Sequence, residues 1–385
     1  MLEGVNVALG VTGSIAAVKV VELAHELRRQ GAAVRGVVSP SATGIVNPWA
    51  VEFATDHEVV TELTGAVEHI ALCGADGWAD VLLIAPATAN TIGKMAAAVD
   101  DTPVTTCATT AIGAGLPVVV APAMHAPMAD HPGVVDAIDR LSSWDVRFVD
   151  PQMAEGKAKL AGEEAIVVET ARAVGDRPLE GRHVVVTSGS TQEPIDPLRT
   201  LTNRASGKTG RAVARALYVR GAEVTLVHDA GDVPYADVER IETAAELVEA
   251  ASTAAAGADA LVSAAAIADY RVGEPAAEKI RSGQQLQIDL EPAPKLLDAV
   301  REAHPELPLV GFKAETSGDD DAMVDAARDL LERVGCAFVV ANDASVMGED
   351  VTRALFVTAT GVETFEGSKA ALGFEVADRL SQAFD

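Results

Sequence analysis

The sequence predicts an α/β protein made of two Rossmann-like open-sheet domains. A strand, a glycine-containing loop and a helix open the chain within residues 5–29, and the same order returns within residues 183–220. The phrases LRRQGAAVRGVV and LYVRGAEVTLVH end the two helices alike, each turning at a glycine into an apolar strand. A short apolar run followed by a helix-period segment, repeated in this way, is the pattern of parallel strands joined by crossover helices.

Taken in order, residues 5–9 read as a buried strand, 10–14 as a tight loop, 16–29 as a helix stopped before Gly31, and 33–38 as the next strand. In the second half, 183–187 is a strand, 188–190 a loop, 209–220 a helix stopped at Gly221, and 223–228 a strand. Further strands are expected at 81–85, 117–121, 260–263, 309–312 and 338–341, each followed by a polar or glycine-containing loop. Ligands are therefore expected at the carboxyl ends of the strands. Residues 169–182 mix Ala, Gly, Pro and charge without strand alternation, which places the domains at 1–172 and 182–385 with a linker over 173–181.

A chain of 385 residues that is 49% hydrophobic can bury two cores. No run approaches the ~18 apolar residues of a membrane span, and the N terminus lacks a basic region followed by an apolar segment, so the cytoplasm is the expected compartment. Cys73, Cys107 and Cys336 form no CxxC pair, which argues against a disulfide framework or a thiolate zinc site. The formal charge of -27, from 57 acidic and 30 basic residues, opposes nucleic-acid binding. With only 4% aromatic residues, this acidity reads as a solvated surface suited to high salt, where repulsion is screened, and Asp319, Asp320 and Asp321 read as solvent-facing.

In the first half, Gly10-Val11-Thr12-Gly13-Ser14-Ile15-Ala16-Ala17 can offer backbone N–H groups and hydroxyls to a phosphate at a helix start. It lacks the G-x-G-x-x-G spacing, and a plain strand-to-helix turn is the alternative. Pro86-Ala87-Thr88-Ala89-Asn90-Thr91 adds donors, and its small residues leave room for a flat ligand. In the second half, Gly207-Lys208-Thr209 invites a P-loop reading, but Thr202 stands where that loop requires its first glycine.

The two loops of the first half, together with His69-Ile70, Trp78-Ala79-Asp80 and the segment from Pro122 to Met128, resemble the flavin-dependent cysteine decarboxylases. In the second half the resemblance is to phosphopantothenate-cysteine ligases. It is carried by residues 188–196 and 203–210, Ala264 to Tyr270, Glu278-Lys279-Ile280, Gly311 to Thr316 and Ala341-Asn342-Asp343. Over residues 3–380 the chain resembles the bifunctional phosphopantothenoylcysteine decarboxylase / phosphopantothenate-cysteine ligase family of coenzyme A biosynthesis, in its archaeal form.

For the first domain, the resemblance implies a flavodoxin-like fold holding FMN through Gly13, Ser14, Ile15, Ser39, Pro86, Thr88, Asn90 and Thr106. In such enzymes the flavin oxidises the substrate's cysteine thiol to a thioaldehyde, giving the electron pair released with CO2 a destination, and then reduces the resulting enethiol. His69 matches the catalytic base, and an ordinary imidazole pKa of about 6.5 suits proton transfer near neutrality. Met124, His125 and Met128 match the substrate motif, with His125 where the family carries a carboxylate-binding asparagine; for the methionines, core packing is the alternative. Bacterial members place a proton-donating cysteine on a flap where residues 150–166 fall. None is present here, which makes Lys159, or Lys157, the candidate donor. Residues 73–77 are longer than the family's usual connection.

For the second domain, the resemblance implies activation of a carboxylate as an acyl-nucleotide formed from CTP, with Mg2+ balancing the triphosphate and pyrophosphate leaving. Asn203 would stabilise that acyl-nucleotide, a helix cap being its alternative role; Asp269, Lys279 and Phe312 would contact the nucleotide. Ala205 replaces a family serine. The family's lysines ahead of residues 341–343 are not retained, although Arg328 and Arg333 lie near. The implied partners are 4'-phosphopantothenate, cysteine and CTP, in a trimer-based homo-oligomer as large as a dodecamer. Metal ligands stay open. Two other readings stand beside this one: a flavin-binding regulatory subunit, disfavoured by His69 and the complete second half, and a nicotinamide dehydrogenase, disfavoured because G-x-G-x-x-G is missing from both halves.

Overall fold

The computed structural model describes residues 1–283, 285–315, 319–343 and 351–384, in two compact units, Met1–Gly175 and Asp176–Asp385. In the first unit, β1 (Asn6–Val11) leads through a 3-10 turn (Ile15–Lys19) into α1 (Val20–Arg29), β2 (Ala33–Val38), α2 (Pro48–Thr55) and α3 (Glu68–Cys73). Then come β3 (Val81–Ala87), α4 (Ala89–Ala96), α5 (Pro103–Ala114), β4 (Val118–Pro122), β5 (Met124–His125), α6 (Ala126–Ala129) and α7 (Pro132–Ser142). Short strands β6 (Arg147–Phe148), β7 (Gln152–Ala154) and β8 (Lys157–Lys159) precede α8 (Glu163–Val174).

The main sheet has the order β2-β1-β3-β4-β6, all parallel, and β5-β8-β7 form a small antiparallel sheet. This is the flavodoxin-like arrangement, and the strand order turns between β1 and β3, where ligands of such sheets bind. Every residue of β3 is buried, as expected of a central parallel strand covered on both faces. β1 runs two residues beyond the expected strand because Gly10 and Val11 pair with Val37 and Val38.

The second unit contains β9 (His183–Thr187), a hairpin of β10 (Gln192–Asp196) and β11 (Arg199–Thr202), α9 (Lys208–Val219), β12 (Glu223–His228) and β13 (Asp237–Arg240). It continues with α10 (Ala244–Ala255), β14 (Ala260–Ser263), a second hairpin of β15 (Tyr270–Val272) and β16 (Leu290–Pro292), and α11 (Leu296–Ala303). β17 (Leu309–Glu315), α12 (Asp320–Val334), β18 (Phe338–Asp343), β19 (Val351–Val357), β20 (Val362–Ser368) and α13 (Lys369–Gln382) complete it. The sheet order is β13-β12-β9-β14-β17-β18-β19-β20, parallel through β18 and antiparallel at the last two strands. The expected open parallel sheet is present, then, with an antiparallel edge that the sequence reading did not contain. α9, which packs on β9, β12 and α13, buries Val213, Leu217 and Val219, each contributing about 1.5–3 kcal/mol. Among the described residues no helix is long and apolar enough to cross a membrane.

Candidate functional sites

In the first unit, the carboxyl ends of β1 and β3 are laced together by one buried hydroxyl. Thr12 Oγ1 donates to the Pro86 carbonyl at 2.7 Å and accepts from the Thr88 N–H at 3.1 Å. The Ser14 hydroxyl donates to the Ala123 carbonyl at 3.1 Å, and the Ala123 N–H reaches the Ala87 carbonyl at 2.9 Å. The expected flavin loops and the head of the Met124–His125 segment thus meet at one sheet edge. Gly13 has no room for a side chain, since a Cβ there would lie 2.5 Å from Ser41 Oγ. Ser39 is buried beside Ser41, with their hydroxyls 3.2 Å apart. Ile15 is 78% exposed, and Asn90 is exposed at the first turn of α4, which Thr88 caps.

His69 sits on α3, which packs against α5, the helix that carries Thr106. The Thr106 hydroxyl is committed to the carbonyls of Asp100 and Thr102, both at 2.9 Å. The Nδ1 atom of His69 is buried and has no hydrogen-bond partner among the described residues. A buried polar atom left unsatisfied costs about 1–3 kcal/mol, so this position fits a bound partner better than a structural role. An acceptor or donor supplied by flavin or substrate would meet that requirement.

Met124 and His125 pair with Ala158 and Lys157, respectively, in the β5–β8 ladder. The β7–β8 hairpin turns at Glu155 (φ 53°) and Gly156 (φ 68°), the left-handed pair that tight hairpins favour. The β7–β8 hairpin therefore stands against the segment expected to bind substrate, with His125 opposite Lys157, and Met128 follows on α6, 45% exposed. Lys159 is ion-paired to Glu155 at 2.8 Å.

In the second unit, a cavity of about 610 Å³ gathers Asn203, Asp269, Phe312 and Arg333 from four separate segments. The Asn203 side-chain amide donates to the Ala266 carbonyl at 2.9 Å, and the Ala266 N–H reaches the Gly189 carbonyl at 2.9 Å. The Ser188 hydroxyl donates to the Gly207 carbonyl at 2.9 Å, fixing the start of α9 against the end of β9. Lys279 is exposed and outside the cavity wall; its neighbour Ile280 is held by the Asp196 carboxylate through its N–H (3.0 Å) and by Arg199 through its carbonyl. Desolvation pushes Asp196 up, but N–H groups of Leu198, Ile280 and Arg199 and the Arg199 guanidinium outweigh it, so its carboxyl is held below the usual range. Asp269 is ion-paired with Lys295 at 2.6 Å, and Arg333 with Asp298.

Sequence reasoning passed over Lys295, Lys313 and Lys369, which also line this cavity. The charge scarcity of a chain with 30 basic residues was the available signal for all three. Thr316 and the side chains of Glu315 and Asp343 lie outside the described residues. Also among the described residues, no group of three or more His, Cys, Asp or Glu could hold a metal ion.

Fold and sites together define a two-part flavoprotein. A flavoprotein family model matches residues 1–175, and a model of the DNA/pantothenate metabolism flavoprotein C-terminal domain matches residues 179–384. The chain is 47% identical over 362 residues to the coenzyme A biosynthesis bifunctional protein CoaBC of Thermococcus kodakarensis, covering 92% of this chain and 89% of that protein. Its identity to CoaBC of Methanocaldococcus jannaschii is 32% over 388 residues (99% and 94% covered), and to that of Bacillus subtilis 34% over 367 residues (90% and 88%). The chain belongs to this family of bifunctional coenzyme A biosynthesis proteins.

Proposed function

We propose that the second unit joins cysteine to 4'-phosphopantothenate and that the first unit decarboxylates the product to 4'-phosphopantetheine. The observation that carries this reading is the convergence of Asn203, Asp269 and Phe312 on one cavity in a chain of this family. In the ligation, a carboxylate oxygen of 4'-phosphopantothenate attacks the α-phosphorus of CTP and pyrophosphate leaves; Mg2+ would balance the charge of the triphosphate. The cysteine amine then attacks the acyl carbon and releases CMP. The bond from Asn203 to Ala266 orients the amide, whose second N–H is directed to the developing charge of the acyl-nucleotide.

In the first unit, Gly13 to Ile15, Ser39, Pro86, Thr88 and Asn90 would hold FMN, which would supply two-electron redox chemistry for the substrate thiol. His69 takes the proton released in the oxidative step. His125 donates to the substrate carboxylate, and the flap lysine Lys159, held in place by Glu155, returns the final proton. The exposed Trp49 and Phe53 on α2 support a homo-oligomer built through this unit, and the charge of -27 supports a surface suited to high salt.

The test supplies the protein with 4'-phosphopantothenate, cysteine, Mg2+ and each nucleotide in turn. Both 4'-phosphopantothenoylcysteine and its CO2-released form are expected, most rapidly with CTP. If neither appears with any nucleotide, the reading is wrong.

A further inference from the structure

The β10–β11 hairpin that leads into Asn203 also holds a second stretch of chain. Ala276 donates its N–H to the Ile195 carbonyl at 2.9 Å, and Ile280 is held at both of its backbone polar groups. The Ile280 N–H donates to Asp196 Oδ2 at 3.0 Å, and its carbonyl accepts from Nη1 and Nη2 of Arg199, both at 3.2 Å. The Asp196 side chain is fully buried, and its two oxygens serve different segments. Oδ1 accepts from the N–H groups of Leu198 (2.8 Å) and Arg199 (2.9 Å) and closes the hairpin turn; Oδ2 takes the Ile280 N–H and the Arg199 guanidinium. β11 then runs directly to Asn203, whose amide donates to the Ala266 carbonyl. One carboxylate thus joins the hairpin of Asn203 to the residue that follows Lys279.

We propose that Asp196 is a positioning residue for the ligation: it fixes residues 276–280 against the Asn203 hairpin and so sets where Lys279 stands; this rests on the reading of Lys279 as a nucleotide contact. A corner of purely structural use needs only Oδ1, which already serves the turn. Oδ2 and the Arg199 fork instead reach across 84 and 81 positions of chain to Ile280. Between the two tethers Ala277, Glu278 and Lys279 are exposed, so the fastening buries little apolar surface and its product is placement. The Asp196 carboxyl is held below the usual range and is charged at neutral pH, which makes its bonds charge-assisted. Holding this backbone in one conformation before a ligand arrives removes an entropy cost that would otherwise fall on the reaction.

The experiment measures ligation by the full chain, with CTP or whichever nucleotide supports turnover, in Asp196→Asn, Lys279→Ala and the double variant. The asparagine keeps an oxygen for the Leu198 and Arg199 N–H groups and turns its NH2 toward Ile280, so the tether is lost and the turn kept. Each single variant is expected to lower ligation kcat/KM about 10- to 100-fold, and the double variant to stay within about threefold of Lys279→Ala, because Asp196 acts through Lys279. Losses that multiply, as a merely structural role would give, overturn the assignment and leave the ligase reading intact. Amide hydrogen exchange gives a second readout, independent of turnover: in Asp196→Asn the Ile280 amide should exchange about tenfold faster or more, while β9 and β14 keep their protection and show the second unit folded. Unchanged exchange at Ile280 overturns the tether. If β9 and β14 lose protection, Arg199→Lys, which removes the fork from the Ile280 carbonyl, is combined with Lys279→Ala and decides by the same rule. An unsubstituted chain that makes no 4'-phosphopantothenoylcysteine overturns the ligase reading and this inference together; full ligation by Lys279→Ala overturns the Lys279 reading and this inference.

Discussion

Asn203 and His69 lie in different units, so under the proposed function each is the control for the other. Asn203→Ala should lower ligation by about 10²- to 10³-fold, the usual cost of one donor to a developing anion, and leave decarboxylation unchanged. His69→Asn should lower decarboxylation by about 10²- to 10⁴-fold and leave ligation unchanged. Assays with 4'-phosphopantothenate and with 4'-phosphopantothenoylcysteine supplied separately distinguish the two; a variant that loses both activities would mean a folding defect. At this scale the matching segments led to Asn203, Asp269 and Phe312, which share one cavity, but also to Lys279, which lies outside it. The sequence was silent on the orphaned Nδ1 of His69 and on the Asp269–Lys295 pair, because a partner 26 positions away along the chain is set by packing.

The start of α9 shows how an element can invert an ordinary propensity. Gly→Ala inside a helix usually stabilises by about 1 kcal/mol. At Gly210 the added Cβ would lie 2.6 Å from both Cβ and Oγ of Ser188, at the end of β9. Overpacking of that kind costs about 1–3 kcal/mol, so Gly210→Ala should lower the melting temperature of the second unit by about 2–4 °C per kcal/mol of net loss. Gly113→Ala in α5, with nothing within 4 Å, should raise that of the first. Calorimetric scans of the two variants check both signs. Strands β2, β9, β12 and β14 match the sequence reading residue for residue, since a buried parallel strand is a continuous apolar run. The β10–β11 and β15–β16 hairpins were not legible: QEPID, RTLT and LEP are polar or proline-bearing, and they are strands only because each finds a partner.

Across the whole molecule, charge and protonation should make the stability depend on salt and pH. Repulsion within a chain of charge -27 should make the melting temperature rise from low salt to about 1 M, where the screening length falls to ~3 Å. Full stability in low-salt buffer would count against a high-salt surface. At fixed high salt, two pH windows are expected. Burial holds the His228 imidazole below its ordinary value, so its contribution is fully present above the unfolded pKa of about 6.5 and is lost as pH falls through the folded value. Asp196, Asp259 and Asp320 are likewise depressed, and their contributions are present above about pH 3.9 and vanish as pH falls through their folded values. Denaturation curves from pH 8 to 2 should show both steps, with the first removed in His228→Gln.

By itself the sequence determined that there are two α/β units, where their central strands and first helices lie, and which family the segments resemble. Those are local facts, because apolar runs, glycine stops and motif spacings are written along the chain. Only the tertiary structure decided that Lys295, Lys313 and Lys369 line one cavity with Asn203, that Lys279 does not, and that the flap pairs with Met124 and His125. Each depends on which strand ends and helix starts are brought together, and sheet order, unlike strand identity, is fixed by burial across the whole unit.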